Sequence, residues 1–391
     1  MSEQWPVKPL SEIAEVIMGQ APPGSDCNKD GIGSPFVKAG EFGTSRPIIR
    51  EWTTNPKKFA SRDDVLICVV GATCGKLNLG ENCAIGRSVA AIRPNKSELN
   101  QFFLHYFMMQ IVQKMRAAST GAAQTVISKK MIHEIRIPLP PLEEQQCFVS
   151  ILDEAFDNIS YSSKRAEHKL RNSKEMFQSV IANIFSQKGE GWKELKIQDV
   201  ILPLTTVNPS KEPTKEIEYI DVSSVNRSTL SVEKTSMIIG SDAPSRARRL
   251  VRKDDVIFAT VRPTLQRISV IPENLDGAIC STGYFVLRPT GEVLSRYLFY
   301  YLQGQRFSNE MESLQRGASY PAVSDKDVKE HIMLLPSLDV QKQIITILDS
   351  LSQNLASLEE NLGQELQYLE EFNRSILHEA FSGKLTGGIN A

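Results

Sequence analysis

One segment of this chain is written twice. Leu139-Pro140-Pro141-Leu142-Glu143-Glu144-Gln145, followed by Ile151-Leu152-Asp153, returns about 196 residues later as Leu335-Pro336-Ser337-Leu338-Asp339-Val340-Gln341, followed by Ile347-Leu348-Asp349. A repeat of this period constrains the fold more than any local propensity does, because each copy must form the same supersecondary unit. The match runs both ways. Downstream, Ser179 and Phe185-Ser186-Gln187-Lys188 return as Ser375 and Phe381-Ser382-Gly383-Lys384. Upstream, Asp63-Asp64-Val65-Leu66-Ile67 returns as Asp254-Asp255-Val256-Ile257-Phe258, and Arg93-Pro94 as Arg288-Pro289, with Trp5 and Trp192 opening the two copies. The offset drifts from about 187 to about 196 residues and then holds, so length varies in the first part of each copy and not in the last.

That last part carries heptads. Phe148, Leu152, Ala155, Ile159, Ser162, Ala166, Leu170, Ser173, Phe177, Val180 and Ile184 step by three and four, as do Ile344, Leu348, Leu351, Leu355, Leu358, Leu362, Leu366 and Leu369. An extra step of four falls at the same repeat position in both, which predicts two coiled-coil helices with matching stutters. Each alone would leave an apolar stripe in water, so the two are expected to pair with each other. The heptads by themselves fit parallel and antiparallel pairing alike. Ser162 and Ser173 weaken the first seam, which equally suits insertion of a partner protein. About 44 helical residues span roughly 66 Å, nearly two turns of B-DNA at about 34 to 36 Å each. A rod of that length suits a reader of two separated half-sites, and equally a plain spacer or dimerisation rod.

The remaining sequence reads as short strands broken by Gly and Pro. DVLICVVG, AIGRSVAAIRP, DVIFATVRP and TGYFVLRP are apolar runs of strand length, and FFLHYFMMQIVQKM and RYLFYYLQGQRF each read as one amphipathic helix. Strands followed by a helix, without regular alternation, favour α+β over a doubly wound sheet. At 391 residues, with 41% hydrophobic and 23% charged residues and a mean hydropathy of -0.22, the chain has material for two cores. The expected fold is therefore two similar α/β globular domains joined by two long helices in an intramolecular, antiparallel coiled coil, with an internal pseudo-twofold repeat. Its expected parts are a first globular domain over 1–141, a first helix over 142–188, a second domain over 189–337, a second helix over 338–385 and a tail over 386–391.

Composition excludes some functions. The start of the chain lacks a signal peptide's basic and apolar regions, and no stretch approaches the ~20 apolar residues of a membrane span, so a cytoplasmic location and no membrane partner are expected. The six cysteines show no CxxC pairing and the five histidines are scattered, so reduced thiols and no metal site are expected. Net charge is -1, which argues against nucleic acid until the chain is divided: residues 1–141 hold 17 Lys and Arg against 12 Asp and Glu, while residues 339–381 hold 2 against 8. A basic head and an acidic helix suggest different partners. There is no Gly-rich cofactor loop after a strand, no phosphate loop and no Asn/Asp-Pro-Pro-aromatic motif for amino methylation. Asp63-Asp64 and Asp254-Asp255 could be paired carboxylates of a metal-dependent nuclease, but a position just before a strand is a commoner setting for a turn.

IRIPLPPLEEQQCFVSILD, where globular domain meets helix, resembles the signature of type I restriction-modification specificity subunits, and IMLLPSLDVQKQIITILD is a looser second copy. The resemblance implies that the Pro-rich turn fixes the helix start; Glu143 and Glu144 would then fall in the first turn, where the helix dipole favours acid. The resemblance extends to Val16-Ile17-Met18-Gly19-Gln20-Ala21-Pro22, which is similar to the family's Gly-x-x-Pro loop, to Gly71–Lys76, and to the loop from Gly121 to Ser128. The second domain departs from it, with Leu204 to Pro209 in place of the glycine loop. The resemblance implies a non-catalytic subunit in which each globular domain reads one half of a bipartite, asymmetric double-stranded DNA target. The helices would set the spacer and dock two methyltransferase subunits, which would carry S-adenosylmethionine and methylate adenine N6. Two restriction subunits, where present, would bring ATP and Mg; this chain would hold no cofactor of its own. A coiled-coil scaffold that reads no sequence is the alternative.

Basic residues on loops are the candidates for DNA contact, since they neutralise phosphates or pair with guanine edges. In the first domain these are Arg46, Lys57, Lys58, Arg62, Lys76 and Arg87, with Gln124 as an adenine reader. In the second they are Arg246, Arg248, Arg249, Arg262, Arg267 and Arg316, with Tyr320 for stacking or groove contact.

Overall fold

The structure, a computed structural model, describes residues 5–118, 126–186 and 188–381. The chain condenses into two compact units, one formed by residues 1–166 with 363–391 and the other by residues 167–362. The division is not sequential. Two long helices run over Leu142–Ser186 and Leu338–Phe381, and each begins in one unit and ends in the other.

In the first unit, Val7–Pro9 pairs antiparallel with Arg136–Pro138, tying the start of the globular part to its end. A four-stranded antiparallel sheet has the order Ala14–Met18, Val89–Pro94, Val65–Cys68, Leu77–Leu79. A second sheet of very short strands contains one parallel pair, Ser34–Val37 with Cys83–Ile85. The expected single strand AIGRSVAAIRP is thus two, Cys83–Ile85 and Val89–Pro94, which serve different sheets. Helix Gln101–Ala118 packs Phe103, Leu104, Phe107 and Met108 into the main core.

The second unit repeats this plan. Lys193–Lys196 pairs with Ile332–Leu335, and the sheet Ile201–Leu202, Tyr284–Pro289, Val256–Ala259, Ile268–Val270 matches the first unit strand for strand. The second sheet again holds one parallel pair, Glu216–Ile220 with Ile279–Ser281. One expectation fails here. RYLFYYLQGQRF is not one helix but two, Ser295–Tyr301 and Gln305–Ser313, with Gly304 extended as the cap between them. The break turns Phe307 into the core beside Phe258, 5.1 Å between ring centroids.

The direction of helix pairing is set by aromatic contacts within each unit. Phe381, at the end of the second long helix, lies 4.8 Å from Phe148 near the start of the first, and 5.3 Å from both Phe103 and Phe107. In the other unit Phe185, at the end of the first helix, packs on Tyr297 and Tyr301, the residues that occupy the repeat positions of Phe103 and Phe107, at 5.5 and 5.3 Å. A helix end beside a helix start means antiparallel neighbours. Every expected seam residue is buried or half-buried, although at the end of the first helix Ile181 and Phe185 lie deeper than Ile184.

Candidate nucleic-acid interface

The repeated motifs turn out to hold scaffold rather than chemistry. Gln145 is fully buried at the helix start; its amide donates to the carbonyls of Pro140 and Glu98, both at 2.8 Å, and its oxygen accepts from the Asn100 N–H at 2.8 Å. Gln341 does the same with Pro336, Glu292 and the Leu294 N–H. Sequence reasoning passed over this glutamine, whose identity in both copies was the available signal. The aspartate of Ile-Leu-Asp is a second tether: Asp153 accepts from the Tyr106 hydroxyl, and Asp349 accepts from Tyr300 at 2.6 Å.

Asp64 and Asp255 are structural carboxylates. Asp64 is buried and takes Nε and Nη2 of Arg93 at 2.9 and 3.0 Å, and Asp255 takes the same atoms of Arg288 at 2.9 and 2.8 Å. Each also accepts a backbone N–H, from Ser61 and Arg252 respectively. The nuclease reading therefore loses one carboxylate of each pair, since the oxygens of Asp64 and Asp255 are all engaged, and Asp63 is paired with Lys96. Cys68, Cys74, Cys83 and Cys280 are buried, Cys27 is half-buried and Cys147 is exposed, and none of the six is in a disulfide. Burial first, and then the nearby carboxylates of Glu81 and Asp64 at Cys83 and of Asp255 at Cys280, push both thiols up to about 12, which keeps them protonated.

The candidate cations divide by what holds them. Three are committed to their own unit. Arg249 forks onto both oxygens of Asp325 at 3.0 and 2.8 Å and donates to the Tyr284 carbonyl. Arg267 donates to the carbonyls of Val222, Ser223 and Val225, and Arg46 to those of Gly80 and Arg62. Lys76 donates to the Phe42 carbonyl at 2.7 Å, Lys57 to Asn55 at 2.8 Å and Arg248 to its neighbour Ala247 at 2.8 Å. Arg316 pairs with Asp327 while remaining mostly exposed.

Lys58, Arg62, Arg87, Arg246 and Arg262 are exposed, and among the described residues their side chains have no hydrogen-bond or ion-pair partner. In the first unit Ile85 N donates to the Lys58 carbonyl, so Lys58 and Arg87 share one sheet end. In the second, Arg262, Arg316 and Tyr320 converge: the Arg262 N–H reaches the Pro321 carbonyl at 2.7 Å, and Arg316 bridges Ala322. Gln124 lies outside the described residues. Gly19, the glycine of the opening loop, has no room for a side chain, since a Cβ there would meet the Gly86 carbonyl at 2.2 Å.

Comparison with known proteins places this scaffold. The family model for the type I restriction modification DNA specificity domain matches twice, over residues 2–169 and 189–368. A putative type I restriction enzyme MjaX specificity subunit of Methanocaldococcus jannaschii is 34% identical over 183 residues, 46% of this chain and 43% of that protein. The MjaVIII specificity subunit of the same organism is 21% identical across 98% of this chain and 93% of its own length. A chain from a structural study of complex assembly and conformational transition in the type I R-M system superposes with a TM-score of 0.80, at 18% identity, over 98% of this chain and 99% of that one. The duplicated scaffold, its doubled junction motif and these matches agree: the chain belongs to the type I restriction modification DNA specificity domain family, as a specificity subunit.

Proposed function

We propose that this chain reads a bipartite, asymmetric double-stranded DNA target, one half-site per unit, on behalf of a methyltransferase and restriction complex in which it does no catalysis. One observation carries the reading. The scaffold contacts, from Gln145 and Gln341 to the two Asp–Arg forks, are the same in both units, whereas the exposed cations differ. One frame with two different sets of outward groups suits two unequal half-sites. The long helices would set the spacing and dock two methyltransferase subunits, which would supply S-adenosylmethionine and methylate adenine N6. Restriction subunits, two to a complex, would bring ATP and Mg for translocation and cleavage. No helix among the described residues is long and apolar enough to cross a membrane, and the complex would act on DNA in the cytoplasm.

Co-expression with its methyltransferase subunit, followed by methylation sequencing of the host genome, tests this. The expected result is N6-methyladenine at one motif of two unlike half-sites with a constant gap. Loss of every such motif, with the complex formed, would reject the reading.

A further inference from the structure

The loops that follow Val65–Cys68 and Val256–Ala259 take the same path. The Cys68 N–H to Lys76 carbonyl bond, 2.8 Å, corresponds to Ala259 with Arg267, 2.9 Å; Cys74 to Gly71, 3.0 Å, corresponds to Leu265 with Arg262, 2.9 Å. The Ile127 N–H to Val69 carbonyl bond corresponds to Val323 with Thr260, both 2.9 Å. Each loop places two residues in the left-handed region, at the same two positions. In the first unit they are Gly71 and Gly75, with φ of 83° and 86°. In the second they are Arg262 and Gln266, with φ of 51° and 47°.

Glycine takes that conformation freely, whereas any side chain there adds strain. Long polar side chains at two strained positions call for what those side chains do. Gln266 has an internal answer, its amide donating to the Ser308 hydroxyl at 3.3 Å. Arg262 has none: among the described residues its guanidinium meets no acceptor and lies 5.2 Å from the ring centroid of Tyr320. Tyr320 itself is 72% exposed. The platform is well anchored, since Arg316 and Ala322 exchange two 2.9 Å backbone hydrogen bonds beneath it and Gly317, φ 100°, makes its turn.

Resting on the DNA-reading role above, we propose that Arg262, seated on Tyr320, is a guanine-reading residue of the second unit. A phosphate contact asks only for a charge, and a freely swinging side chain supplies it. Stacking on an aromatic face fixes the guanidinium plane and presents its edge, which is what bidentate pairing with guanine O6 and N7 requires. In the sequence, the position 196 residues before Tyr320 holds Gln124, and Gly71 stands in place of Arg262, so the first copy has no counterpart of this arginine–tyrosine pair.

Arg262→Gly is the informative variant, because it gives this position the residue the first unit uses and relieves strain; its melting temperature should not fall. In the methylation assay, discrimination at one guanine of the second half-site should drop by about tenfold or more, with the first half-site unchanged. Tyr320→Ala should weaken discrimination at that same base, and Tyr320→Phe should preserve it. Uniform weakening across all sequences, with a salt slope lowered by about one, would make the contact a phosphate contact and overturn the proposal. An unchanged motif would overturn it too, while the subunit's DNA reading stood; a wild-type chain yielding no bipartite motif would instead sink both.

Discussion

Arg93 grips Asp64 through two nearly parallel hydrogen bonds, and the strand register explains why: Ile92 pairs with Val65, which leaves the residues just beyond that pair, Arg93 and Asp64, facing each other. The same register, Leu287 with Val256, sets Arg288 against Asp255. The acid is buried in both cases, so neutralising it strands a cation against a core.

Asp255→Ala is expected to destabilise the second unit by about 3 kcal/mol, and Asp64→Ala the first by a similar or smaller amount, since Arg93 is better exposed to water than Arg288. Denaturant midpoints measure this. A variant of wild-type stability would show that the fork is dispensable.

Gln145→Ala leaves two carbonyls and one N–H without their buried partner, and should cost about 2 to 3 kcal/mol. Hydrogen exchange should rise first at Asn100 and in the opening turn of the long helix. Protection unchanged at both places would contradict the tether.

Ending the chain at Leu362 removes Leu377, Ala380 and Phe381 from the core of the first unit, although those residues follow the second unit in sequence. The expected loss exceeds about 3 kcal/mol and falls on the first unit. Exchange measured by unit decides it; a weakened second unit with an intact first would be the wrong way round.

Seven residues inserted after Leu170 and after Leu366 keep the heptad phase and add about 10.5 Å of helix. The methylated motif should keep both half-sites and gain about three base pairs of spacer at 3.4 Å each. A change in either half-site would break the separation between ruler and readers.

His105 buries its Nδ1 with no hydrogen-bond partner among the described residues, and burial lowers its pKa to about 4 from 6.5. Above pH 6.5 the ring is neutral folded and unfolded, with no effect. As pH falls toward 4 the unfolded chain binds a proton that the folded unit refuses, so stability drops, by roughly 2 kcal/mol at pH 5. His105→Phe, which copies Phe299 at the same repeat position, should remove that dependence. Equal losses between pH 7 and 5 for wild type and variant would exclude His105 as the source.

Much of the frame is legible in the sequence because repeats and heptads are periodic, and burial along Phe148 to Val180 follows the heptads closely. Helix direction is not, since a heptad looks alike from either end; it took Phe185 on Tyr297 and Phe381 on Phe103 to decide it. Nor could composition tell Arg249 from Arg262. Both are loop-flanking arginines in a basic stretch, yet one meets Asp325, which is 76 residues away, and the other meets only an exposed ring. Two-residue strands such as Cys27–Asn28 leave no pattern to read, and the break before Gly304 depends on the core that Phe307 fills.

Trp5 packs edge-on to Phe148 at 6.2 Å, and Phe148 meets Phe381 at 4.8 Å, so the first and last described stretches of the chain share a neighbour. Trp5 and Phe381 thus belong to one aromatic cluster of the first unit, although 376 residues of sequence separate them. A gene permuted to begin at Gly189, with the present ends joined by a short linker, would encode the same contacts in a different order.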